Sequence, residues 1–122
     1  MKHLDLNSNG VNKKITANIL SDDMMRKIGF SDLSPDNWFF IKTVHEDRFS
    51  SISFSVTIPK DGSDIRIDIL DDAFGQPYDY QYMINRGGAP EVAYKVATKV
   101  EYWMSYLKDA GVLEGHEEGD YI

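Results

Sequence analysis

Ser51-Ile52-Ser53-Phe54-Ser55-Val56-Thr57-Ile58 alternates polar and apolar residues without a break. After Pro59-Lys60-Asp61-Gly62-Ser63-Asp64 the alternation resumes as Ile65-Arg66-Ile67-Asp68-Ile69. Side chains of a strand point to opposite faces with period two, so the stretch reads as a β-hairpin with one buried and one wet face. Just upstream, Ser34-Pro35-Asp36-Asn37 has the chemistry of a turn, and Trp38 to His45 is a strand rich in aromatic and β-branched residues. His45-Glu46-Asp47-Arg48 reads as the next turn. The short connections predict a three-stranded antiparallel meander over 38–45, 49–58 and 64–70.

Downstream, Val92, Val96, Val100, Trp103 and Leu107 step by three and four residues, one face of a helix over Glu91 to Asp109. Pro90 precedes it and Gly111 follows it. Such a helix spans roughly 28 Å at 1.5 Å per residue. An eight-residue strand spans roughly 26 Å. The helix therefore matches the sheet and is expected to cover its apolar face. Near the start, Ser21 suits an N-cap, Asp22 and Asp23 a first turn and Gly29 a stop, which predicts a helix over 22–28. The apolar positions upstream, Ile15 and Ile19, fit a helical period only in part. The predicted fold class is thus α+β, two layers in the order α-β-β-β-α. Asp71 to Pro90 is expected to be a loop with one short helix near 78–85.

The chain has 122 residues, 42% of them apolar, which fits a single domain over 1–122 with its own core. Residues 1–14 read as a flexible N-terminal segment or an edge segment, and 114–122 as an acidic tail whose Tyr121-Ile122 end suggests docking back. The chain has no cysteine, so disulfides and thiolate chemistry are excluded. The net charge is −7 and Lys and Arg form no block, so direct nucleic-acid binding is not expected. No apolar run approaches bilayer length and the N-terminus lacks a signal-peptide core, which predicts a cytoplasmic protein that does not engage a membrane.

Ser51, Ser53, Ser55, Thr57, Arg66 and Asp68 share the polar face of the hairpin. A flat surface of small polar groups can admit a partner, although a solvated face is the default for an antiparallel sheet. Phe74, Tyr78, Tyr80 and Tyr82, with Trp38 and Tyr94, form either an anchor surface or a plug at the end of the core. The candidate binding surface is therefore Ser53, Ser55, Thr57, Arg66, Asp68, Phe74, Tyr78, Tyr80 and Tyr82. Tyr102 and Tyr106, an i, i+4 pair, widen the buried face of the long helix or mark a homodimer contact.

His45-Glu46-Asp47 and His116-Glu117-Glu118 each place a histidine beside two acids. Adjacent turn residues point apart and neither cluster has helical ligand spacing, so no metal site is expected. Asp61-Gly62-Ser63-Asp64 lacks the length and closing Glu of a calcium loop. Gly87-Gly88 lacks the phosphate-loop pattern and reads as a turn. No catalytic residues and no cofactor are assigned.

Ser53-Phe54-Ser55-Val56-Thr57-Ile58, Asp68-Ile69-Leu70-Asp71-Asp72 and Gln76-Pro77-Tyr78-Asp79-Tyr80-Gln81 resemble segments of a group of small uncharacterised proteins from phages and mobile elements of Gram-positive bacteria. Trp103-Met104-Ser105-Tyr106-Leu107, Gly111-Val112-Leu113, Gly115-His116 and Gly119-Asp120-Tyr121-Ile122 are similar to theirs too. The resemblance spans about residues 36–122. It implies an accessory role in a host cytoplasm and carries over no functional residues. The leading expectation is a non-enzymatic factor that binds another protein. The alternatives are an acidic nucleic-acid mimic that blocks a host DNA-binding protein, and a small hydrolase using His45 or His116 with Asp68 and Asp72.

Overall fold

The computed structural model describes residues 15–116. In chain order the elements are β1 (Thr16–Ala17), α1 (Asp22–Ile28), β2 (Ser31–Ser34), β3 (Asn37–Glu46), β4 (Ser51–Pro59), β5 (Arg66–Asp71), β6 (Gln76–Pro77), α2 (Tyr80–Arg86), α3 (Glu91–Asp109) and β7 (Leu113–Glu114). The fold is α+β with antiparallel sheets. Strands β2 to β6 form one sheet in sequence order, and β1 pairs with β7 in a separate two-stranded ribbon.

The alternating stretch becomes β4, the middle strand. Ile52, Phe54, Val56 and Ile58 face inward and none is more than 1% exposed. Ile67 and Ile69 of β5 and Trp38 and Phe40 of β3 complete the sealed face. Helix α3 packs on β3 and fills this layer with Val96, Val100, Met104 and Leu107. Each such burial contributes about 1.5–3 kcal/mol before entropy is counted. The buried face of α3 is wider than the expected stripe. Ala93, Ala97 and Met104 take its centre, while Val92 and Trp103 pack at the rim.

Phe40 is the hub of the aromatic core. Its ring centroid lies 5.2 Å from that of Phe30, 5.7 Å from Trp103 and 6.2 Å from Tyr106. Gly29 ends α1 at φ 128°, and a Cβ there would sit 3.1 Å from the Phe40 ring, so the stop residue is doubly constrained. The Tyr106 hydroxyl donates to the Ile28 carbonyl at 2.6 Å and ties α3 to α1. The Ser21 side chain caps α1 by accepting from the Met24 amide at 3.3 Å.

Three expectations need correction, and the segment before α1 has a pairing that the sequence did not announce. The sheet has five strands, because β2 pairs with β3 and β6 with β5 at its edges. Strand β3 runs to Glu46, so the next turn falls at 47–50. Ile15 and Ile19 belong to no helix; the chain there is held by β7, with Thr16 opposite Glu114, Ala17 opposite Leu113, and the Asn18 amide donating to Val112 at 2.7 Å. Residues 114–116 are consequently part of the folded body, and His116 is buried. The expectations for residues 1–14 and for Tyr121-Ile122 lie outside the described residues. Among the described residues no helix is long and apolar enough to cross a membrane.

Candidate functional site

The outward side chains of β3, β4 and β5 fall in rows set by the register. Phe39, Thr57 and Arg66 form one row, Ile41, Ser55 and Asp68 the next, and Thr43, Ser53 and Leu70 a third. The fold therefore brings Ser53, Ser55, Thr57, Arg66 and Asp68 together, as expected from alternation. Arg66 stands 3.6 Å from Asp68. The Ser51 and Ser53 hydroxyls donate to the Asp72 carboxylate at 3.1 and 2.8 Å. Three apolar residues on this face escaped the sequence reading. Phe39 and Leu70 are partly exposed and Ile41 is 58% exposed, in the middle row. The only available signal was the unbroken run Trp38-Phe39-Phe40-Ile41, which must place apolar side chains on both faces of a strand.

The aromatic residues do not form one surface. Tyr80 is fully buried and Trp38 nearly so, which removes both from any open face. The Lys60 ammonium and the Arg26 guanidinium lie over the Trp38 ring at 4.6 and 5.6 Å and cover it. Tyr78 is half-buried against the core; burial first, then the charge of Asp71, pushes its phenol pKa up. Tyr82 is exposed, with the Arg86 guanidinium over its ring at 5.5 Å. Phe74 is exposed in the turn between β5 and β6.

At the same end of the sheet, the turn between β3 and β4 is organised around Asp47. Its Oδ1 accepts from the Phe49 and Ser50 amides at 2.8 and 2.9 Å, and its Oδ2 lies 2.7 Å from His45 Nε2. The His45 side chain, and after it the Phe49 amide, hold the Asp47 carboxyl far below the usual carboxylate range. His45 reaches this position because the pairing slips between Thr43 and His45. The bulge turns His45 to the helix side, where it borders a groove of about 500 Å³ with Tyr94, Lys95 and Lys99.

Among the described residues His116 is the other histidine with an acidic neighbour, and that neighbour is Glu101; Glu117 and Glu118 lie outside the described residues. His116 Nε2 lies 3.2 Å from Glu101 Oε1 and 3.3 Å from Ser105 Oγ, under a cleft of about 650 Å³. Glu101 and Ser105 sit one turn apart on α3, so they present to the same point. Ser, His and Glu thus meet, but both oxygens address the same ring nitrogen. A nucleophile–base–acid relay needs the acid on the opposite nitrogen, so that Nε2 is free to take the serine proton. The cluster instead anchors the segment after β7 to α3. Neither histidine is paired with Asp68 or Asp72 among the described contacts. Among the described residues no three His, Asp or Glu side chains gather as a metal site would require.

No protein-family model matches the chain, and no curated protein does. Among solved structures, a DUF1831 family protein from Lactobacillus plantarum aligns over 93% of this chain and 92% of its own, with a TM-score of 0.65 and 9% sequence identity. At that identity the likeness establishes a shared fold.

Proposed function

We propose that the chain is a small protein-binding factor that receives a partner on the outer face of its sheet, as an accessory protein of a phage or mobile element. The observation that carries the reading is Ile41, 58% exposed in the middle row of that face beside Phe39 and Ser55. An apolar residue kept in water at the centre of a flat, hydroxyl-lined sheet suits a surface that becomes covered on association. The hydrolase reading draws no support from His116, whose Nε2 is shared by Ser105 and Glu101. The acidic-mimic reading draws little, because Asp32 stands beside Arg26 and Lys60, and Asp68 beside Arg66.

The test compares immobilised wild-type chain with Ile41→Asp and Ser55→Arg in lysate of a Gram-positive host. A partner held by the wild type is expected to fall by about tenfold or more in both variants, the size of losing a central contact. Equal retention by all three chains contradicts the reading.

A further inference from the structure

Phe49 and Phe74 are the most exposed large apolar side chains among the described residues, at 87% and 77%. They sit in different turns at one end of the sheet. The turns touch: the Asp72 amide donates to the Ser51 carbonyl at 2.8 Å, and a concavity of about 600 Å³ runs from Glu46–Ser51 across to Asp72–Ala73.

Neither turn is loosely built. The Phe49 turn is fastened by Asp47 as described, and the Asp47 amide donates to the Ser50 carbonyl at 2.8 Å. In the Phe74 turn the Gly75 amide donates to the Asp71 carbonyl at 2.8 Å, and the Ala73 amide to Asp71 Oδ1 at 3.1 Å. Gly75 adopts φ 63°, which L side chains rarely do, so this corner of the turn is one that glycine fits. Two phenyl groups are therefore held out in water on ordered frames. A preorganised anchor loses little freedom when a partner closes over it.

The surroundings identify what can close over them. Glu46, Asp47, Asp71 and Asp72 lie in or beside the two turns, against a single guanidinium, Arg48, whose Cζ is 5.9 Å from the centre of the Phe49 ring. The low pKa of Asp47 keeps that carboxylate charged throughout the physiological range. A phosphate-rich surface, whether nucleic acid or anionic lipid, is repelled by such a rim. A protein surface with an apolar pocket bordered by Lys and Arg is complementary to it.

We propose that Phe49 and Phe74 are paired, preformed anchors that insert into an apolar, basic-rimmed site on a partner protein. This rests on the reading that the chain binds a protein, and it extends the contact from the middle of the sheet to its loop end.

The test uses the full chain with the photocrosslinking residue p-benzoylphenylalanine in place of Phe49 or Phe74, in lysate of the source organism. The proposal expects both positions to label one protein, at peptides where apolar residues are flanked by Lys or Arg. Retention of that protein should fall about tenfold or more in the Phe49→Ser/Phe74→Ser chain. It should also weaken steeply as salt rises from about 0.05 to 0.5 M. Both phenylalanines are largely in water, so the double variant should melt as the wild type does.

Retention lost in Ile41→Asp but kept in Phe49→Ser/Phe74→Ser overturns this proposal and leaves the sheet-face reading standing. The reverse pattern supports the anchors and overturns the sheet centre as the contact. Retention unaffected by either change overturns both. Phe49- and Phe74-dependent flotation with phosphatidylcholine or phosphatidylserine vesicles, without a protein crosslink, overturns the proposal in favour of lipid. Labelling confined to second copies of the chain overturns it in favour of self-association.

Discussion

Phe54 and Ser55 are neighbours in the chain and opposites in the fold. Phe54 is wholly buried and touches the edge of the Phe40 ring at a centroid distance of 6.4 Å, whereas Ser55 lies between Ile41 and Asp68 on the outer face. The inner face of β4 decides whether the protein folds. The outer face is free to be chosen for other reasons. The same division separates the two histidine–acid pairs. His116 and Glu101 are enclosed and hold the C-terminal ribbon to α3, with side chains 1% and 11% exposed. His45 and Asp47 shape a wet turn that presents Phe49.

The largest expected contrast is across β4. Phe54→Ala should lose about 3–5 kcal/mol in urea unfolding, because the hole lies in a closed core. Ser55→Ala should stay within about 0.5 kcal/mol of wild type. Equal losses at the two positions would break the contrast.

The next contrast concerns the enclosed pair. His116→Ala should cost about 2–3 kcal/mol by emptying a closed site and removing one partner of Glu101. Replacing both partners, as Glu101→Leu with His116→Leu, should recover much of that loss. A double variant as unstable as the single one would mean that the His116–Glu101 contact itself, rather than the filling of the site, holds the ribbon.

The smallest effect is expected at Asp47. Its carboxyl is depressed in the folded state, so its contribution is complete above the ordinary aspartate value of about 3.9 and fades as pH falls towards the folded value. Asp47→Asn should melt below wild type at neutral pH, with the gap closing as pH drops below about 4. A gap independent of pH would remove the carboxylate from the stability of the turn.

How far these features could be read in advance depended on the range of the interaction. Alternation at 51–58 and 65–69 and the stripe on α3 are local patterns; β4 and β5 formed with the expected faces, while α3 buries a wider face that leaves Val92 and Trp103 at its rim. Ser21 and Gly29 bracketed α1 because caps are chosen by backbone geometry within one turn. Strands β1 and β7 were illegible: each has two residues, and their pairing joins Thr16 to Glu114 across nearly the whole chain. His116 invited comparison with Glu117 and Glu118, which lie outside the described residues; within them it meets Glu101, brought to it by the return of the chain after α3. Tyr80 looked like its neighbour Tyr82, and only packing of α2 on α3 separates the buried ring from the exposed one. Of the candidate surface, the hydroxyl row was legible from its period. The apolar content of the same face was hidden, because Phe39 and Ile41 break the alternation that revealed the rest.

The absence of native cysteine makes the division between the two faces directly measurable. Single cysteines at Ser55 and at Val56 in the folded protein would be timed against a maleimide reagent. Ser55→Cys, partly exposed on the outer face, should react in the folded protein far faster than Val56→Cys, which should react only through unfolding. Comparable rates at the two positions would contradict the account of an open outer face.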